Sequence, residues 1–161
     1  MKKILLICIV ILIVVTNLSA KEKKKEGIEN FKNLGVGIVI GDPLGISVKF
    51  MESSNIAYAG VFGVFSGVKF YIHTDYLWLN YETFSNLNRP EGIMILYYGP
   101  GVLMRVTSDD KFIIGGRGTV GTEYLLLKAP FGIFLEVSPA FLVTPEMKLS
   151  FFGGLGARFY F

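Results

Sequence analysis

The sequence predicts an all-β fold: an eight-stranded antiparallel up-and-down transmembrane β-barrel, preceded by a cleavable signal peptide. Three observations carry this. The first is an alternation that runs to the end of the chain. One set of positions is Leu149, Phe151, Gly153, Leu155, Ala157, Phe159 and Phe161; the other is Ser150, Phe152, Gly154, Gly156, Arg158 and Tyr160. A period of two residues is a strand with a different environment on each face. The stretch outruns an ordinary strand of about five or six residues and is long enough to cross a bilayer at a tilt, which takes about nine to eleven. The second is the apolar run near the N-terminus. The third is the polar face of the strands, which is mostly glycine, serine and tyrosine with a charge here and there.

The chain has 161 residues, one domain's worth, divided as signal peptide 1–20, a flexible charged leader 21–33 and the barrel 34–161. Lys2 and Lys3 form a positive n-region, Ile4–Val15 an unbroken apolar stretch, and Asn17-Leu18-Ser19-Ala20 offers a small residue at the cut. A retained anchor would need about 20 apolar residues, more than the run provides. Cleavage lowers the net charge from +3 to about +1 and removes Cys8, leaving no thiol, disulfide or Cys-based metal site. A lipoprotein reading of Leu5-Leu6-Ile7-Cys8 fails because almost no signal precedes the cysteine. The near-neutral balance without a basic face argues against nucleic-acid partners. Lys21–Glu26 is a run of charge read as solvated.

The strands follow in order. The first is expected at Leu34–Ile40, with Leu34, Val36, Ile38 and Ile40 opposite Gly35, Gly37 and Val39. Asp42-Pro43 turns the chain into the second, Leu44–Met51, with Leu44, Ile46, Val48 and Phe50 opposite Gly45, Ser47 and Lys49. After a turn at Glu52–Asn55 comes the third, Ile56–Phe65, too uniformly small and apolar for its faces to be assigned. Ser66-Gly67 leads to the fourth, Val68–Asn80, which sets Phe70, Ile72, Thr74, Tyr76 and Trp78 against Lys69, Tyr71, His73, Asp75 and Leu77. Glu82–Gly92, with Asn86, Asn88, Arg89 and Pro90, is the longest loop.

The fifth strand, Ile93–Val106, opposes Met94, Leu96, Tyr98, Pro100, Val102 and Met104 to Ile95, Tyr97, Gly99, Gly101, Leu103 and Arg105. Thr107–Lys111 is a charged turn. The sixth, Phe112–Leu127, sets Val120, Tyr124 and Leu126 against Arg117, Thr119, Gly121 and Glu123. Ala129-Pro130 leads to the seventh, Phe131–Val143, with Phe131, Ile133, Leu135, Val137, Pro139 and Phe141 opposite Gly132, Phe134, Glu136, Ser138 and Ala140. Thr144–Lys148 leads into the last strand. Short loops leave no room for crossover helices, so neighbours in sequence pair antiparallel, and a sheet of this kind without edges is an up-and-down barrel.

Alternation does not say which face is inside. A soluble lipocalin-like barrel would turn the apolar face inward and bind an apolar ligand. The signal peptide, the polar face poor in Lys and Glu for a water-facing surface, and aromatics toward strand ends choose the opposite. Tyr76, Trp78, Phe131 and Phe141, with Phe159 and Phe161, resemble the girdles of membrane barrels. Helical spanning is disfavoured, because no stretch after the signal reaches about 18 apolar residues without Gly, Pro or charge.

With the apolar face toward lipid, the lumen holds Lys49, Lys69, His73, Asp75, Arg105, Arg117, Glu123, Glu136 and Arg158. A barrel of about eight strands is just wide enough for side chains to fill it, so these charges are expected to pair as a salt-bridged plug; an open channel needs more strands. The competing chemistry is acyl transfer or deacylation of lipid. His73 and Asp75, two apart on one strand, share a face, and Ser47 or Ser138 would complete a Ser-His-acid set. One His and no mature Cys make a poor metal site. The glycine clusters lie inside strands with no following helix and so are not phosphate loops. No cofactor is implied.

Several stretches together carry a resemblance: Gly41-Asp42-Pro43-Leu44-Gly45, His73-Thr74-Asp75-Tyr76-Leu77-Trp78, Tyr97-Tyr98-Gly99-Pro100-Gly101, Phe134-Leu135-Glu136-Val137-Ser138-Pro139, and Gly153 through Phe161. The chain from about Leu34 to Phe161 resembles a family of small OmpA-like eight-stranded outer-membrane barrels, known among others from spirochaetes. The resemblance implies a place in the outer membrane of a double-membraned bacterium, with outer-membrane lipids as neighbours. It carries over no catalytic residues. The C-terminal signature Phe159, Tyr160 and Phe161 implies recognition by the barrel-assembly machinery. Some relatives are held to bind host proteins, which makes an extracellular protein a candidate partner. Here the outer loops are short: with both termini in the periplasm they fall near Asp42-Pro43, Ser66-Gly67, Ser108–Asp110 and Pro145-Glu146, and the longest loop faces the periplasm.

Overall fold

The computed structural model describes residues 33–65, 67–144 and 146–161. The expected signal peptide at 1–20 and all but the last residue of the expected leader 21–33 lie outside the described residues, as do Ser66 and Pro145 at two of the turns. Eight strands form one closed antiparallel barrel in sequence order. They are β1 (Leu34–Asp42), β2 (Leu44–Met51), β3 (Ile56–Phe65), β4 (Val68–Asn80), β5 (Gly92–Thr107), β6 (Phe112–Leu126), β7 (Phe131–Leu142) and β8 (Lys148–Tyr160). Closure comes from β1 against β8, in register from Gly35↔Tyr160 to Asp42↔Gly153. It leaves every strand two neighbours and removes the sheet edge along that seam.

The Phe161 N–H donates to the Leu34 carbonyl at 2.9 Å, so both barrel termini meet at one end, called here the terminal end. The long 81–91 connection lies at this end too, since strand direction alternates. It holds a 3₁₀ turn, Ser85–Leu87, where only loop was expected. The Asn80 side chain organises its start by accepting from the backbone N–H groups of Glu82 (3.0 Å) and Thr83 (2.9 Å). At the far end, Gly41 (φ 147°) and Gly67 (φ 76°) take backbone conformations open to glycine. They let the β1–β2 and β3–β4 hairpins turn tightly.

The strands put apolar side chains outside and polar ones inside. Ile38, Ile46, Phe62, Val102, Leu135 and Phe151 are among the large apolar side chains exposed on the outer surface. Lys49, Asp75, Arg117, Glu123, Glu136 and Arg158 are buried within. This is the inverse of the lipocalin-like alternative, whose charges would lie outside. β3, unassigned from sequence, follows the rule: Ala57, Ala59 and Val61 are buried while Tyr58, Phe62 and Val64 are exposed. Its small inward residues leave room for long side chains from the opposite wall.

Two apolar clusters close the interior above and below the charges. At the terminal end Met51, Ala57, Leu77, Leu79, Ile95 and Leu125 pack together, with Tyr97 and Tyr160 at the top of the cluster. At the far end Val68, Tyr71, Leu103, Ile113, Leu142 and Phe152 do the same. Glycines give the large rings their space. A Cβ on Gly121 would overlap the ring of Tyr97, and one on Gly156 the ring of Phe134. Gly121→Ala is therefore expected to destabilise the barrel by about 1–3 kcal/mol through overpacking, read as a lower midpoint in urea unfolding.

Candidate functional site

The site is the buried polar layer between the two apolar clusters. Three cations, Lys49, Arg117 and Arg158, face three carboxylates, Asp75, Glu123 and Glu136, so the layer is charge-balanced with His73 neutral. Alternation on β2, β4, β6, β7 and β8 delivers each of them inward, and the layer falls into two linked groups.

The first group centres on Glu123 of β6. Lys49 Nζ donates to its Oε2 at 2.6 Å, Tyr160 OH to its Oε1 at 2.6 Å, and Arg158 Nη1 to its Oε1 at 3.4 Å. Arg158 Nε also donates to Ser47 Oγ at 3.0 Å, and its guanidinium lies 3.6 Å from the centre of the Phe134 ring. Lys49 Nζ stands 4.7 Å from the centre of the Tyr97 ring. Each cation thus meets a carboxylate and an aromatic face, both of which favour positive charge.

The second group centres on Arg117 of β6. Its Nε donates to Thr119 Oγ1 at 3.1 Å and sits 3.2 Å from Asp75 Oδ1. Nη1 donates to Tyr71 OH at 2.9 Å and approaches His73 Nδ1 at 2.7 Å. Nη2 donates to Ser138 Oγ at 2.5 Å and lies 3.7 Å from Glu136 Oε1. The planar fork of a guanidinium suits this many partners at once. Tyr97 OH donates to Glu136 Oε2 at 3.1 Å and ties the two groups together.

Proton bookkeeping assigns the histidine. Arg117 only donates, so His73 Nδ1 accepts and the ring's proton sits on Nε2, which lies 3.6 Å from Asp75 Oδ2. Thr119 donates to Asp75 Oδ2 at 2.9 Å. With that proton committed, the 2.9 Å contact between Thr119 and Ser138 runs from serine to threonine. The Ser138 proton therefore points at Thr119 and its lone pair receives Arg117. No hydrogen bond joins Ser138 to His73 among the described residues, and Ser47 belongs to the Arg158 group. The structure gathers His73, Asp75 and Ser138 into one network, with Arg117 contacting both the histidine and the serine.

Seven of the nine charges expected in the lumen, Lys49, His73, Asp75, Arg117, Glu123, Glu136 and Arg158, lie there buried. Arg105 is half-buried on the inner face at the far rim, 5.9 Å from the Phe152 ring. Lys69 is a correction: its side chain is 53% exposed and pairs with Asp110 at 2.7 Å on the outside. Register irregularities at Gly63/Phe65 and Val68/Phe70 flank this position. The bulge turns Val68 inward and Lys69 outward, against the alternation that holds from Tyr71 onward. Lys69→Ala is expected to change unfolding free energy by less than about 1 kcal/mol, since exposed pairs contribute little; chemical denaturation checks this.

The outer aromatics are placed as an ordered band. Tyr58, Tyr76, Trp78 and Tyr98 contact in series, with ring centres 5.5, 5.4 and 5.8 Å apart, on the half of the barrel toward the terminal end. Phe131 is half-buried at that end and Phe141 exposed toward the other. Of the C-terminal signature, Phe159 and Phe161 point out while Tyr160 is buried against Glu123. Sequence reasoning missed the neutral partners Tyr71, Tyr97, Thr119 and Phe134. Their signal was present, because they share the inward parity of the charges. No group of three or more His, Cys, Asp or Glu side chains suited to a metal ion occurs among the described residues.

No protein-family model, curated protein or solved structure matches this chain.

Proposed function

We propose that this chain is an integral outer-membrane β-barrel with a filled, salt-bridged lumen, serving a structural or surface-interaction role rather than forming an open pore. One observation carries the reading: the barrel is inverted in polarity, with balanced charges sealed inside and large apolar side chains spread over the outside. In water such a surface would associate; single exposed apolar residues are ordinary, but a continuous belt marks a membrane or a partner. In a bilayer the belt is solvated by lipid, and closure of the strands satisfies backbone groups that hydrocarbon cannot. The aromatic series Tyr58–Tyr76–Trp78–Tyr98 suits a headgroup boundary. The resemblance to small OmpA-like barrels supports the same place.

In this reading the interior network locks the barrel. Each carboxylate meets a cation, and the apolar clusters above and below keep water from competing with the pairs. The terminal end faces the periplasm, the short turns face outward, and the C-terminal strand is the element read by the assembly machinery. The test is gel mobility of the detergent-extracted protein from outer-membrane fractions, with and without boiling. A boiling-dependent shift in that fraction is the expected result. Recovery in the soluble fraction with one mobility would overturn the reading.

A further inference from the structure

Resting on the membrane reading, we propose that a groove along β5 on the outer wall holds one acyl chain of a phospholipid whose phosphate meets Lys69 and Lys111 at the far rim. The groove has a volume of about 500 Å³, within the roughly 300–1,000 Å³ of small-molecule sites. Two cross-strand rows form it. One is Ile72, Met104 and Ile114; the next, toward the terminal end, is Thr74, Val102 and Gly116. All six line the groove and share the outward face of β4, β5 and β6.

Gly116 opens the notch. A Cβ there would meet nothing within 4 Å, although its strand is paired on both sides, with Val102 and with Phe141. An outward side chain of ordinary size would fill that space. Ile72 and Ile114 stand on either side as stiff, branched walls, and Met104 between them adapts its shape. β4 and β6 lie about 10 Å apart, two strand spacings, which gives room for a single chain between their side chains. Apart from the Thr74 hydroxyl, the six side chains offer only apolar contact.

Lipid tails are as apolar as leucine, so hydrophobicity alone gives no preference for this groove over the rest of the wall. Shape and a polar end must supply it. The groove touches a chain along its flanks, where a convex wall would not, and dispersion grows with the number of contacts. The polar end lies along the same column. Toward the far end the next row is Phe70, Val106 and Phe112, and the shorter Val106 leaves a passage between the two rings. Beyond it stand Lys69, next to Phe70, and Lys111, next to Phe112. Both are exposed, Lys69 paired with Asp110 at 2.7 Å and Lys111 with Asp109 at 3.4 Å. Exposed pairs of this kind are weakly held, so a lipid phosphate can share the two ammonium groups. The bulge that turns Lys69 outward therefore places a cation at the mouth of the groove that strict alternation would have sent into the lumen.

The test fills the notch. Gly116→Leu occupies it, and Gly118→Leu is the control. Gly118 is the next outward residue of β6, outside the groove, and a Cβ there also meets nothing within 4 Å. Each protein is folded into vesicles of phosphatidylethanolamine and phosphatidylglycerol, with heat-dependent gel mobility confirming closure. After extraction in a mild detergent, lipid that stays on the barrel is read by native mass spectrometry. The unaltered barrel and Gly118→Leu are expected to carry one phospholipid, and Gly116→Leu none. Lys69→Ala and Lys111→Ala, which leave the strands as they are, are each expected to weaken retention on the order of fivefold. Diacylglycerol added to the vesicles, having no phosphate, is expected not to be retained.

An unaltered barrel that keeps no phospholipid, or equal retention in the two leucine variants, would overturn the proposal. So would diacylglycerol held as well as phospholipid, or full retention after both lysines are replaced; that last arm decides the matter if Gly116→Leu does not close. Barrels that run as dimers and separate on Gly116→Leu would give the groove to a second copy of the chain. Failure of the membrane reading looks different: the protein is then recovered from cells in the soluble fraction with one gel mobility. A closed barrel in the outer-membrane fraction that keeps no lipid sinks the groove alone.

Discussion

Arg117→Ala is expected to destabilise the closed barrel by about 3–5 kcal/mol, the cost of leaving buried charge without its partner. The substitution removes the cation beside Asp75 at 3.2 Å and Glu136 at 3.7 Å, and the donors to Ser138 and Tyr71. Asp75 and Glu136 keep only neutral donors, Thr119 and Tyr97. Arg117→Lys should recover part of the loss, because one ammonium cannot reach all the guanidinium's partners from a single point. Combining Arg117→Met with Asp75→Asn and Glu136→Gln should recover more, since it removes both the stranded carboxylates and the cation. Urea unfolding of vesicle-folded protein, followed by Trp78 fluorescence, gives the ordering. A loss below about 1 kcal/mol for Arg117→Ala would contradict a dry, paired interior.

The second large effect lies in the other group. Glu123→Ala takes the shared carboxylate away from Lys49 and Arg158, both fully buried, and leaves the Tyr160 hydroxyl without its 2.6 Å acceptor. The expected loss is again about 3–5 kcal/mol. Lys49→Met should cost less, because Glu123 keeps Arg158 and Tyr160 and the new side chain fills a similar volume. The pair is tested by a double-mutant cycle: Glu123→Ala with Lys49→Met should be less damaging than the sum of the two changes, because the second removes a charge that the first strands. Additive losses would mean that the two side chains do not depend on each other for charge compensation.

Much of this was legible in the chain. Strand positions followed from alternation because a strand's faces repeat every second residue, and a barrel of short hairpins imposes that period without interruption. β2, β3 and β4 lie where turn residues and alternation place them. β1 runs two residues further, to Asp42, because its pairing with Gly153 on β8 extends it, and that pairing is a contact across the whole length of the chain. Lys69 escaped because a β-bulge shifts parity locally, and nothing in Val68-Lys69-Phe70 marks the shift. The faces of β3 were unreadable because Ala, Gly and Val suit either side. Only the long side chains arriving from opposite walls decide that the small ones at Ala57 and Ala59 face in.

By itself the sequence determined that this is an all-β chain of eight alternating strands and, outside β3 and the bulge at Lys69, which residues share each face. Those are local properties, set by the geometry of an extended backbone. The tertiary structure puts the polar face inside, as the make-up of that face led one to expect, and it alone decided which cation serves which carboxylate and that Arg117 stands in contact with both His73 and Ser138. These depend on register between strands distant in sequence, and register is chosen by closure of the barrel, where packing, charge pairing and backbone hydrogen bonds must all be met at once.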